Sequence, residues 1–142
     1  MFYVTSFVLV ILCPALSFAA FGDPCEIVTW SNLSANHDQI INATVPKDCL
    51  FGDVDWNYPK GSVLLSYATG GTPFRLCVEE GWGPSITKVQ EIVRGELRTL
   101  SLPTQESPTC TSSTDGEAAL LVSAPSFQTY MTLFNYRVIL EN

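Results

Sequence analysis

The residue types able to do chemistry in this sequence are few. Its one histidine is His37, set beside Asn32 and Asp38 in a polar stretch, as a solvated loop residue would be. Neither a GxSxG elbow, an HExxH helix nor a glycine-rich phosphate cradle occurs. Carboxylates pair at Asp53/Asp55 and Glu79/Glu80. On a strand, Asp53 and Asp55 share one face and offer two oxygen ligands to a cation. Two carboxylates do not complete a calcium cage, and the competing reading is ordinary edge-strand charge. No cysteine pair has CxxC spacing, so zinc is not expected either. These absences predict a protein without catalytic residues, bound metal or cofactor.

The cysteines carry more information. Cys13 lies in an N-terminal segment with the layout of a secretory signal. A short uncharged start precedes an apolar run over residues 7–16. Ser17 and Ala19 then put small residues at the two positions a signal peptidase reads. The run is too short to span a bilayer. Residues 1–19 are expected to be cleaved, leaving residues 20–142 as one secreted domain without membrane insertion. Cys25, Cys49, Cys77 and Cys110 remain, an even set that reads as two disulfides with three possible pairings. Export also gives meaning to two sequons, Asn32-Leu33-Ser34 and Asn42-Ala43-Thr44, which predict glycans on Asn32 and Asn42 and a solvated loop around them.

The elements that must position these residues are strands. The 142 residues are 46% hydrophobic and 15% charged, so a packed core is affordable and a disordered acidic tail is excluded. A formal net charge of −7 excludes a nucleic-acid binder that works by neutralising phosphates. Apolar and β-branched runs at residues 26–30, 62–67, 74–79, 86–93, 96–100, 118–124 and 130–140 are separated by Gly, Pro and Ser clusters. A further short strand starts near Asp53. Arg94-Gly95 is a hairpin turn, and the last run is apolar on both faces, as in a central strand. Roughly eight short strands with regular turn signals predict an all-β sandwich. Trp30 is expected inside. Pro59 biases Tyr58 to extended geometry at a turn that starts a strand. Trp56 and Tyr58 then serve packing. Trp82, between Gly81 and Gly83, is the candidate contact residue for a partner.

Four cysteines, this length and the all-β pattern resemble a CUB domain, a secreted antiparallel sandwich with two disulfides. The resemblance implies bridges in sequence order, Cys25–Cys49 and Cys77–Cys110. The CUB calcium pattern has a Tyr-Asp pair after the third cysteine, where this chain has Val78-Glu79-Glu80, so no calcium site of that kind is expected. Gly52-Asp53-Val54-Asp55-Trp56-Asn57-Tyr58-Pro59-Lys60-Gly61 resembles more closely the N-terminal CUB-like domain of the meteorin family. Phe74-Arg75-Leu76-Cys77, residues 95–100, residues 119–125 and Phe134-Asn135-Tyr136-Arg137-Val138 are similar to that family as well. The netrin-like second domain of those proteins has no counterpart in this chain. The resemblance implies a secreted signalling protein whose partner is another extracellular protein or a cell-surface receptor. The alternative is a single-CUB adhesion protein that binds carbohydrate or the cell surface.

Overall fold

A computed structural model describes residues 22–81, 86–125 and 129–142. Ten strands form two five-stranded sheets. One sheet has the order β1 (Ile27–Trp30), β3 (Phe51–Asn57), β10 (Met131–Leu140), β5 (Phe74–Glu79), β8 (Thr109–Ser112). The other has the order β2 (Ile40–Thr44), β4 (Ser62–Ala68), β9 (Glu117–Ser123), β6 (Lys88–Val93), β7 (Glu96–Leu100). The inner pairings are antiparallel, while β1 and β2 join β3 and β4 in parallel at the sheet edges.

Alternation builds the core. Val54, Trp56, Phe74, Leu76, Val78, Phe134 and Tyr136 point inward from the first sheet and are buried. Val63, Leu65, Leu120, Val122 and Val89 meet them from the second. Tyr67 and Phe74 touch edge to face across the layers, with ring centroids 5.0 Å apart. β10 is the central strand of its sheet, as its two apolar faces predict. Arg94 and Gly95 have φ of 53° and 81°, the paired left-handed residues of a two-residue hairpin that suits sheet twist.

The disulfides pair Cys25 with Cys49 and Cys77 with Cys110. The first ties the segment before β1 to the turn before β3. The second joins directly opposed residues of β5 and β8. An all-β sandwich with two bridges in sequence order is therefore correct.

Several expectations need correction. The region of the sequons is not wholly loop, because Asn42 lies in β2. A further strand, β8, runs through the Ser/Thr/Pro stretch around Cys110. Strand β3 begins at Phe51 rather than near Asp53. It lies between β1 and β10, so Asp53 and Asp55 are not edge charges. Trp30 is 63% exposed. Its inward neighbour is Thr29, which sits in register with Trp56 on β3. That indole fills the space, so the small hydroxyl faces the core and Trp30 faces out. Tyr58 is not extended but left-handed, with φ of 49°.

Candidate functional site

The outer face of the first sheet carries an unusual set of side chains. Following the register, Trp30, Asn57 and Met131 form one cross-strand row, and Val28, Asp55 and Leu133 the next. Trp30, Val28 and Met131 are all exposed. Tyr58 and Tyr130 extend the first row beyond the strand ends. The Trp30 and Tyr58 rings lie 6.1 Å apart, and Tyr58 meets Tyr130 edge to face at 6.0 Å. Tyr130 is 81% exposed and Tyr58 36% exposed. Three aromatic rings thus form one continuous exposed surface. An exposed apolar patch of this kind is a candidate contact surface.

Backbone contacts position the Tyr58 turn between the other two rings. The Tyr58 amide donates to the Tyr130 carbonyl at 2.8 Å, which locks the β3 end to the start of β10. Its left-handed backbone, costly for a bulky residue, turns the ring outward while Trp56 points in. Beneath, Ser31 Oγ accepts the Trp56 indole N–H at 2.8 Å and the Lys60 amide at 3.0 Å. It donates in turn to the Lys60 carbonyl at 3.3 Å. Lys60 Nζ donates to the carbonyls of Leu33 and Ala35. Gln39 donates to the carbonyls of Asn32 and Lys60 and accepts from the Asn32 amide. The segment between β1 and β2 is therefore stitched to the Tyr58–Gly61 turn. At Gly61, φ is 80° and a Cβ would lie 2.2 Å from the Gln39 carbonyl oxygen, so only glycine permits that approach.

Beside the rings the same face turns acidic. The neighbouring Asp55 carboxylate, followed by burial and the charges of Asp55, Asp23 and Asp53, raises the Glu26 pKa above the usual carboxylate value. Asp55 Oδ1 and Asn135 Oδ1 are buried atoms with no hydrogen-bond partner among the described residues. Glu79 is occupied by Arg137, whose Nε lies 2.6 Å from Glu79 Oε1. No group of three or more His, Cys, Asp and Glu among the described residues is close enough to hold a metal ion. Glu80 is exposed, and His37 stands on the surface outside this face.

Of the residues singled out from sequence, the structure buries Trp56 and exposes both Asn32 and Asn42. Trp82 lies outside the described residues, as do the segment 1–19 and Cys13. Gly81, just before Trp82, packs on the Leu133 backbone, where a Cβ would come within 2.1 Å of the carbonyl oxygen. Sequence reasoning missed Trp30 and Tyr130 as surface residues. The signal available was the alternation within residues 26–30, which puts Trp30 on the face opposite Thr29.

No family model matches the sequence, and no curated protein does. Among solved structures, a chain described as the CUB1-EGF-CUB2 domains of rat MASP-1 is similar, at 10% sequence identity and a TM-score of 0.43. The match covers 72% of this chain and 43% of that one, so this chain spans less than half of the structure it resembles. Among the described residues, no helix is long and apolar enough to cross a membrane.

Proposed function

We propose that this chain is a secreted CUB-like binding protein, without catalytic activity, that docks another extracellular protein through the outer face of β1, β3 and β10. The observation that carries this is the exposed cluster of Trp30, Tyr58 and Tyr130 on a sheet anchored by a disulfide at Cys25. Aromatic side chains give large contact area for little entropy loss and dominate interface energetics. The acidic group of Glu26, Asp53 and Asp55 beside them complements a partner with an apolar centre and a basic rim. Two disulfides fit an oxidising compartment, in keeping with a leader at residues 1–19. The resemblance of Gly52–Gly61 to meteorin-type factors supports a signalling role and a cell-surface receptor as partner.

The test is a binding titration of the secreted, glycosylated protein on intact cells, with Trp30→Ala and Tyr130→Ala as variants. Each substitution removes an exposed ring and should weaken binding by at least about 2 kcal/mol, near thirtyfold. Stability should stay within about 0.5 kcal/mol of the parent. Trp82→Ala serves as the parallel test of the loop tryptophan. Unchanged binding in Trp30→Ala and Tyr130→Ala, with full binding by the parent, places the interface elsewhere. Retention on a glycan array without cell-surface protein binding favours the adhesion reading instead.

A further inference from the structure

The opposite face of the molecule poses a different question. The central cross-strand row on the outer side of the second sheet is Asn42, Leu64, Leu121, Gln90 and Thr99. It contains no charge, and Leu121 is only 8% exposed although it points away from the core. The adjoining row, Ile40, Ser62, Ser123 and Lys88, borders a groove of about 650 Å³. Leu121, Ser62 and Ser123 floor it, with the two hydroxyls 3.0 Å apart. Ile40 stands on one side and Lys88 and Gln90 on the other. The lining is mixed and mostly polar, with His37, Asp38 and Thr87 joining the serines, Lys88 and Gln90 around Leu121 and Ile40, so it offers hydrogen-bonding groups beside a small apolar area.

Asn42 does not itself line this groove but shares a cross-strand row with Leu121 and Gln90, which do. It is exposed, it lies two residues from Ile40 on the same face of β2, and its side-chain amide has no hydrogen-bond partner among the described residues. Residues two apart on a strand are about 7 Å apart, so a sugar attached to Asn42 starts one residue row from the groove. The other acceptor differs. Asn32 sits in a turn, outside the strand rows of this sheet, and its Oδ1 accepts the Ser34 amide at 3.0 Å.

We propose that the first sugars of an Asn42-linked glycan lie in this groove, over Leu121 and against Ser62, Ser123 and Lys88. The N-acetylglucosamine rings present an apolar face to the leucine and hydroxyl and amide groups to the walls. The glycan then covers the second sheet and leaves the aromatic face of the first as the open side of the molecule. The inference rests on the export proposed above. The protein is therefore secreted from mammalian cells both with its own residues 1–19 and with a proven heterologous leader. Failure with the native leader alone counts against export, not against the glycan seat.

The experiment uses protein carrying ¹³C-methyl leucine and isoleucine, trimmed by endoglycosidase to one N-acetylglucosamine per site. Nuclear Overhauser contacts are expected from the acetyl methyl to Leu121 and Ile40. Those methyl resonances should move in Asn42→Gln and stay in place in Asn32→Gln. Enzymatic release from the folded parent makes the same comparison without relying on a variant to fold. Native release at Asn42 should be at least tenfold slower than at Asn32. An unoccupied Asn42 in the secreted protein overturns the proposal, as do Leu121 and Ile40 methyls that ignore the sugar. Free chitobiose entering the groove of the fully glycosylated protein overturns it too, because the groove then takes a saccharide from outside.

Discussion

Replacing Ser31 by alanine should cost far more than its size suggests. The lost Oγ accepts two donors, the Trp56 indole N–H at 2.8 Å and the Lys60 amide at 3.0 Å. Trp56 is fully buried, so its N–H is left without water or another acceptor. A buried donor stranded in this way costs about 1–3 kcal/mol. Lys60 is half-buried, and water replaces part of its bond, so its share lies at the low end of the same range. Together the loss should be about 2–4 kcal/mol. Trp56→Phe removes the indole donor while keeping a ring in the core. In that background Ser31→Ala strands only the Lys60 amide and should cost about 1 kcal/mol. The double-mutant cycle should therefore return a coupling of about 1–3 kcal/mol. Guanidinium titrations followed by far-UV circular dichroism measure it, provided the four slopes agree. A Ser31→Ala cost below about 0.5 kcal/mol, the range of ordinary surface changes, refutes the account. So does an equal cost in both backgrounds.

Removing the Cys77–Cys110 bridge by double alanine substitution opens a loop of 33 residues and should cost about 3–4 kcal/mol in the chain-entropy treatment, read as a lower denaturation midpoint. Gly52→Ala puts a Cβ 2.2 Å from the Cys25 carbonyl oxygen and 2.6 Å from the Tyr136 hydroxyl, and should cost about 1–3 kcal/mol by the same assay. The Glu26 pKa is raised in the folded state, so its ionisation opposes folding. That penalty is absent where Glu26 is protonated in both states and grows as pH rises past the ordinary carboxylate value. Glu26→Gln should therefore raise the melting temperature near neutral pH and leave it unchanged below the carboxylate range. An equal shift at both pH values would mean a packing effect instead.

Period-two alternation and glycine-rich breaks depend only on neighbours along the chain, which is why β4, β5, β6, β7, β9 and β10 and the Arg94-Gly95 hairpin were legible in the residues. The even set of cysteines and the sequons are equally local. Alternation says which residues share a face, but not which face another layer will cover. The Trp30 case turns on that gap. Val28 and Trp30 are the more apolar set of β1, yet Thr29 faces inward because it stands opposite Trp56 in the parallel ladder. Strands β2 and β8 are short edge strands, each held by a single neighbour, and β8 is polar throughout apart from Cys110. Too short to signal a strand alone, β2 is completed by the hydrogen bonds of β4 and β8 by those of β5. Tyr58 shows the same dependence. Proline after it favours extended backbone, but the hydrogen bond its amide N–H donates to the Tyr130 carbonyl, over seventy residues away in sequence, holds the left-handed turn that aims the ring outward. The aromatic face is assembled from Trp30, Tyr58 and Tyr130, which meet only when β1, β3 and β10 pair. Local sequence carries no term for that meeting, so tertiary structure alone decides it.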